Sequence, residues 1–500
     1  MVKRAEGALL HSIAIDREAP QSLCLQVGAR LRELILGGAL RPGQRLPATR
    51  TLARELAVSR STIVETFERL VAEGLLATRV GAGTFVSDAV HAERPLTQAV
   101  QPSPSAAITR LARSMTDASS RFAARIAHEP RPFTTAMPAF DAFPMGQWSR
   151  LVAKHWRGGR DEVLGYPDPR GHQPLRQAIA THLKVNRGID CDWRQVFVVG
   201  GAQQAFQLIA ATLIDAGDQV WFENPGAIGA RNSFVLHGAE LVAVPVDEAG
   251  LDVARGLALA PRFRLAFVTP SHQQPLGSKM SVERRFALLE AANACGGWII
   301  EDDWDGELCF AGRPLPTLKG IDASGRVIYV GSFSKSLFPA LRVGFLLSPP
   351  ALAEHFAAGL EAYWPGVPTA LQATIAELIA EGHFATHIRR MRRLYAERQQ
   401  ALIDAVTRRL SRWLDIVPTT TGIHTIAYLK PGLDADAVSA AAAGRGITLT
   451  PLGRFCIEKL PLQGFVLGFG GFAPAQIQAG VRTLERVLAE TAAGQARQAG

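Results

Sequence analysis

The sequence predicts two different folds in one chain: an N-terminal winged helix-turn-helix, then a larger α/β domain with a mostly parallel sheet. Three observations predict this. Residues 23–86 carry helix-spaced apolar positions, a tight turn between helices and two short runs around glycines. From about residue 133, short β-rich apolar runs alternate with amphipathic stretches, the pattern of an α/β domain. Between the two, prolines punctuate a Ser-, Ala- and Thr-rich stretch that reads as a semi-flexible linker. The expected boundaries are 1–87, 88–131 and 132–500, with a short helix inside 106–126.

Composition narrows the class. Five hundred residues are ample for more than one core. Hydrophobic residues make up 47% and charged residues 20%, ordinary for a soluble globular protein. A net charge of +9 permits a polyanionic partner without requiring one. The five cysteines are odd in number, widely spaced and form no C-x-x-C. That argues against a zinc ribbon or a disulfide framework and fits a reducing cytoplasm. No apolar run approaches the roughly 18 residues of a membrane span. The N-terminal apolar stretch is short and broken by His11, Asp16 and Arg17, so no signal peptide is expected.

In the first ninety residues, Leu23, Val27, Leu31, Leu34 and Ile35 have helical spacing. Arg41-Pro42-Gly43 ends that helix. Thr49 is the expected N-cap of a second helix, and Ser59 of a third with Ile63, Phe67, Leu70 and Val71 on one face. The exposed start of the third carries Arg60, Ser61 and Thr62, all able to reach bases or phosphates. Leu76–Arg79 and Thr84–Val86 around Val80-Gly81-Ala82-Gly83 form the wing. Residues 1–90 hold 12 basic and 9 acidic side chains, a net of +3, so the charge must be concentrated on one face. This segment resembles the DNA-binding domain of GntR-family regulators. The resemblance implies DNA contacts from Arg50, Arg60, Ser61, Thr62 and Gly81.

In the large domain, strands are predicted at 196–199, 219–222, 241–245, 264–269, 297–301, 327–330 and 342–347. Gly200-Gly201-Ala202-Gln203 opens a helix after the first of these. Free N–H groups and the helix dipole make such a start an anion site. Glu301-Asp302-Asp303-Trp304-Asp305 follows the fifth. Val327–Val330 is a buried strand that Gly331 is expected to end, with Ser332, Ser334 and Lys335 on the loop at its carboxyl end. Open α/β sheets place ligands there. The chain has only eight lysines against 46 arginines. A lysine can lose its proton and attack an aldehyde, which an arginine cannot. Arg342 could hold a phosphate bidentately. Amine, hydroxyls and guanidinium around one loop would suit pyridoxal phosphate.

The order Gly-rich turn, carboxylate cluster, Ser-x-Ser-Lys, Arg resembles fold-type I aminotransferases. With the winged helix in front, the whole chain resembles the MocR subfamily of GntR regulators. That resemblance implies an aminotransferase-like, pyridoxal phosphate-binding effector domain that dimerises. By position, Lys335 would join the cofactor's aldehyde. Asp302 would pair with the pyridine nitrogen. Ser332, Arg342, Gly201, Ala202 and Gln203 would hold the phosphate. Tyr166 matches the tyrosine that reaches the neighbouring subunit's cofactor, implying a homodimer with shared sites. Gln274 falls near the asparagine that bonds the ring hydroxyl.

Three matches fail. Asn224-Pro225-Gly226 is followed by Ala227 where the family has a tyrosine stacked on the ring. Trp304 replaces the tyrosine that bonds the ring hydroxyl; an indole N–H can donate but cannot accept or ionise. No arginine lies in Gly464–Phe469, where some members clamp a substrate carboxylate; Arg454 and Arg231 are the alternatives. These departures weaken the case for amino-acid turnover more than that for cofactor binding. The expected function is therefore a transcriptional regulator that binds an operator and senses pyridoxal phosphate or its adduct with a small amine or amino acid. A working aminotransferase and a regulator with a cofactor-free scaffold remain the alternatives.

Overall fold

The computed structural model describes residues 13–90, 130–157, 159–312, 315–364 and 366–499. The helix predicted inside 106–126 lies outside them. Two compact units, Met1–Ile108 and Thr109–Gly500, partition the chain.

The first unit packs three helices, α1 (Leu23–Leu36), α2 (Thr49–Glu55) and α3 (Arg60–Ala72), with the strands β1 (Leu76–Arg79) and β2 (Gly83–Val86). Val27, Leu31, Ile35, Leu52, Ile63, Phe67, Leu70, Leu76 and Val86 form its core, the face that the helical spacing predicts. Ser59 caps α3 as expected, its side chain accepting from the Thr62 N–H at 3.1 Å. Thr49 does not cap α2. It is the first helical residue, and Ala48 takes the cap position without a side-chain bond. β1 and β2 pair antiparallel from Leu76 with Val86 to Arg79 with Gly83. Gly81, at φ +77°, supplies the left-handed turn between them.

The second unit is built on an eight-stranded sheet. Its strands are β3 (Val196–Val199), β4 (Gln219–Asn224), β5 (Glu240–Asp247), β6 (Gly250–Leu251), β7 (Leu265–Val268), β8 (Trp298–Asp303), β9 (Val327–Ser332) and β10 (Gly344–Leu347). Their order is β3-β10-β9-β8-β7-β4-β5-β6. β5, β4, β7, β8 and β9 run parallel, and β10 is antiparallel to both β9 and β3. The buried strands β3, β7 and β9 read as near-continuous apolar runs, as a sheet covered on both faces requires. Gly331 does not end β9; pairing continues through Gly331 with Phe345 and Ser332 with Gly344. A Cβ at Gly331 would lie 2.2 Å from the Phe345 ring. That glycine therefore makes room for an aromatic neighbour within the strand.

A second, antiparallel sheet joins β11 (Leu414–Val417), β12 (His424–Leu429), β13 (Thr450–Pro451) and β14 (Gly464–Gly468) in the order β11-β12-β14-β13. The helix His383–Leu410 leads into it, and the helix Pro474–Ala499 follows it. Among the described residues no helix is long and apolar enough to cross a membrane.

Candidate functional site

A cleft of about 140 Å³, open to solvent, lies at the carboxyl ends of the parallel strands. Of the ten residues that the sequence singled out around a cofactor, nine line it: Gly201, Ala202, Gln203, Gln274, Asp302, Trp304, Ser332, Lys335 and Arg342. They come from four separate stretches, and the sheet order brings them together.

Each is positioned by local chemistry. Gly201, at φ +87°, is the N-cap of the helix Ala202–Leu213, so the positive end of the helix starts at the cleft. The Gln203 amide donates to Gly229 O at 3.1 Å and to Ser233 Oγ at 2.5 Å. Asp302 owes its place to strand alternation. Successive side chains on β8 point to opposite faces, so Asp302 reaches the cleft while Glu301 and Asp303 turn away. Glu301 accepts the backbone N–H groups of Leu318 and Lys319. Asp303 takes Arg187 Nη2 at 2.6 Å and the Tyr329 hydroxyl.

At the last residue of β9, Ser332 Oγ accepts the Ser334 N–H at 3.1 Å and donates to Ser334 Oγ at 3.0 Å. Lys335 is half-buried, and its Nζ donates to the Ala136 carbonyl at 3.2 Å. Arg342 is exposed and sits in the left-handed region at φ +51°. A helix N-terminus, two hydroxyls and a guanidinium on one cleft are groups able to hold an anion. A buried carboxylate can hold a protonated ring nitrogen, and a lysine can capture an aldehyde.

Tyr166 is not in this cleft. It is 95% exposed, on the loop after the short helix Arg160–Leu164. Trp304 lines the cleft, but its indole N–H is committed elsewhere, donating to the His272 carbonyl at 3.0 Å. Ala227, where a stacking tyrosine was expected, also lines it. Of the two alternative arginines, Arg454 lines the cleft. Arg231 is buried and donates to the carbonyls of Arg454 and Cys456, bracing that turn. Sequence reasoning missed Thr135, Ala136, Phe206, Thr450 and Phe455. Thr135, Ala136 and Thr450 are common residue types far from the motifs, while Phe206 and Phe455 lie beside them but read as ordinary core positions.

In the first unit, Arg50, Arg60, Ser61 and Gly81 are exposed. The Ser59 hydroxyl contacts those of Ser61 at 2.7 Å and Thr62 at 2.8 Å, gathering three hydroxyls at the start of α3.

Residues 23–86 match the family of bacterial regulatory proteins called gntR, and residues 147–460 match aminotransferase class I and II. The chain is 41% identical over 478 residues to the probable rhizopine catabolism regulatory protein MocR of Rhizobium meliloti, covering 94% of this chain and 95% of that one. The chain belongs to the MocR subfamily of GntR-type transcriptional regulators. A second relative is the HTH-type pyridoxine biosynthesis transcriptional regulator PdxR of Corynebacterium glutamicum, 30% identical over 465 residues, with 92% and 94% of the two chains covered. This MocR-type chain is similar, over its aminotransferase-like part, to the crystal structure of LysN, the α-aminoadipate aminotransferase of Thermus thermophilus. The TM-score is 0.67 and the identity 29%, over 72% of this chain and 92% of that one.

Proposed function

We propose that this regulator binds pyridoxal phosphate in the cleft and reads a double-stranded operator through its winged helix. In this reading residues 1–87 bind DNA, 88–131 link, and 132–500 sense and dimerise in the cytoplasm. The observation that carries it is the cleft that gathers Lys335, Asp302, Arg342, Ser332 and the start of the helix Ala202–Leu213. The LysN structure adds support, since that protein was crystallised with N-(5'-phosphopyridoxyl)-L-leucine.

The residues fit the group. When bound, the cofactor supplies an aldehyde that captures amines. The N–H groups of Ala202 and Gln203, the Ser332 hydroxyl and the Arg342 guanidinium hold the phosphate. Asp302 keeps a proton on the ring nitrogen. Lys335 would provide the tethering amine, and Gln274 would donate to the ring hydroxyl. Tyr166, exposed in the single chain, reaches the cofactor of a second copy, so the working unit is a homodimer with shared sites. A small amine or amino acid entering the cleft is the effector, and its binding shifts the population of domain arrangements that engage DNA.

The test is a spectrum of the purified protein with added pyridoxal phosphate. A visible band that Lys335→Ala abolishes is the expected result. A protein that stays colourless overturns the reading. Steady transamination of a panel of amino donors would instead make the chain an enzyme.

A further inference from the structure

Resting on the proposed cofactor, we infer that Trp304 is a positioning residue that withholds a hydrogen bond from the cofactor's ring oxygen. The resemblance to fold-type I enzymes assigns that bond to a tyrosine at this position, and the fold commits the indole elsewhere.

Three rings pack against one another beside Asp302. His272 and Trp304 have centroids 5.3 Å apart at 22°, and Trp304 and His424 5.3 Å apart at 15°. His272 and His424 approach to 5.5 Å. Every ring is tied at its edge. Trp304 Nε1 donates to His272 O at 3.0 Å. His272 Nδ1 meets Asp305 Oδ2 at 2.7 Å, and its Nε2 meets Thr419 Oγ1 at 3.1 Å. His424 Nε2 meets Pro275 O at 3.1 Å. All four side chains, Asp305 included, are buried. Turning the indole N–H toward the cleft would strand the His272 carbonyl and break the packing of both imidazoles.

The consequence is electronic. A donor to the ring oxygen stabilises its negative charge and makes it less basic. Without the tyrosine, that oxygen would keep only the side-chain amide donor that the resemblance assigns to Gln274, which lines the cleft. It therefore holds the proton shared with the Lys335 nitrogen up to a higher pH.

The ionisable groups around this proton are Lys335, Asp302, Asp305, His272, His424, Arg342 and Arg454. Asp302 lies at the end of β8 and Asp305 on the turn after it. His272 is on the loop after β7, and His424 starts β12. Arg342 and Arg454 lie on the cleft wall. Burial, with His272 and Lys335 nearby, lowers His424 to about 3, so it stays neutral across the working range. Burial raises Asp305, opposed by His272.

The experiment is a pH titration of the visible band in the full-length chain loaded with pyridoxal phosphate, for wild type, Trp304→Phe, Trp304→Tyr and Gln274→Leu. Wild type and Trp304→Phe should titrate together, because the lost N–H never served the ring. Trp304→Tyr should titrate lower by about one pH unit, a tenfold change in the proton equilibrium. Gln274→Leu should titrate higher. An upward shift in Trp304→Phe, or an unmoved Trp304→Tyr, overturns the inference. Where Trp304→Tyr fails to fold, the Trp304→Phe comparison decides alone. A wild-type chain that takes up no cofactor shows no band at all; it overturns the proposed function and this inference with it.

Discussion

Arg187 Nη2 lies 2.6 Å from Asp303 Oδ2, and both side chains are all but sealed from water. The same carboxylate also accepts the Tyr329 hydroxyl. The pair joins the end of the helix Gln173–Arg187 to β8, one residue from Asp302. Removing one partner of a buried pair leaves an uncompensated charge. Arg187→Ala should therefore destabilise the second unit by about 3–5 kcal/mol in urea unfolding. A loss below about 1 kcal/mol would mean that water replaces the guanidinium freely.

Two buried groups should bend stability with pH in opposite directions. Burial lowers His424 to about 3. Its contribution is present above the unfolded value near 6.5 and is lost as pH falls toward 3. Burial raises Glu223 to about 7, outweighing its bonds from Thr269 and Gln273. Its contribution is present below about 4.5 and is lost as pH rises through about 7. Each unit of difference corresponds to about 1.4 kcal/mol. His424→Gln should flatten the acid side of a melting-versus-pH curve, and Glu223→Gln the neutral side. A variant that keeps the wild-type slope removes that residue from the account.

Ala227 leaves one wall of the cleft without an aromatic ring. Ring stacking contributes about 0.5–1.5 kcal/mol. Ala227→Tyr should accordingly tighten pyridoxal phosphate by about two- to tenfold, read from absorbance titration. Weaker binding would show that the space is used by something else.

At the other end of the chain, Arg60 opens α3 and is exposed beside the Ser59 cap. Arg60→Ala should cost about 1–3 kcal/mol of operator affinity if the guanidinium reads a base. Fluorescence anisotropy on operator and unrelated duplexes separates the cases. Equal loss on both makes Arg60 a phosphate contact.

Much of this was legible in the residues themselves. The winged helix follows from helical spacing and turn chemistry, which act locally, and Ser59 caps as its type suggests. Thr49 misled because a capping residue type also sits comfortably at the first helical position. The cleft residues were legible because lysine, aspartate and a Gly-rich turn at strand ends have few other uses. What Trp304 does with its N–H was not, since the acceptor is a backbone carbonyl, identical at every residue. Nor was the sheet from β11 to β14, whose short strands are joined across long intervals. The reversed β10 could not be read from its apolar run, because direction leaves no trace in composition.

The cleft draws its lining from Thr135 through Phe455. No fragment that stops before the 3₁₀ turn Leu452–Phe455 contains a complete pocket. Its full lining therefore comes together only once the chain through Phe455 has been made and folded. A copy truncated before that turn would carry the winged helix without the complete cleft.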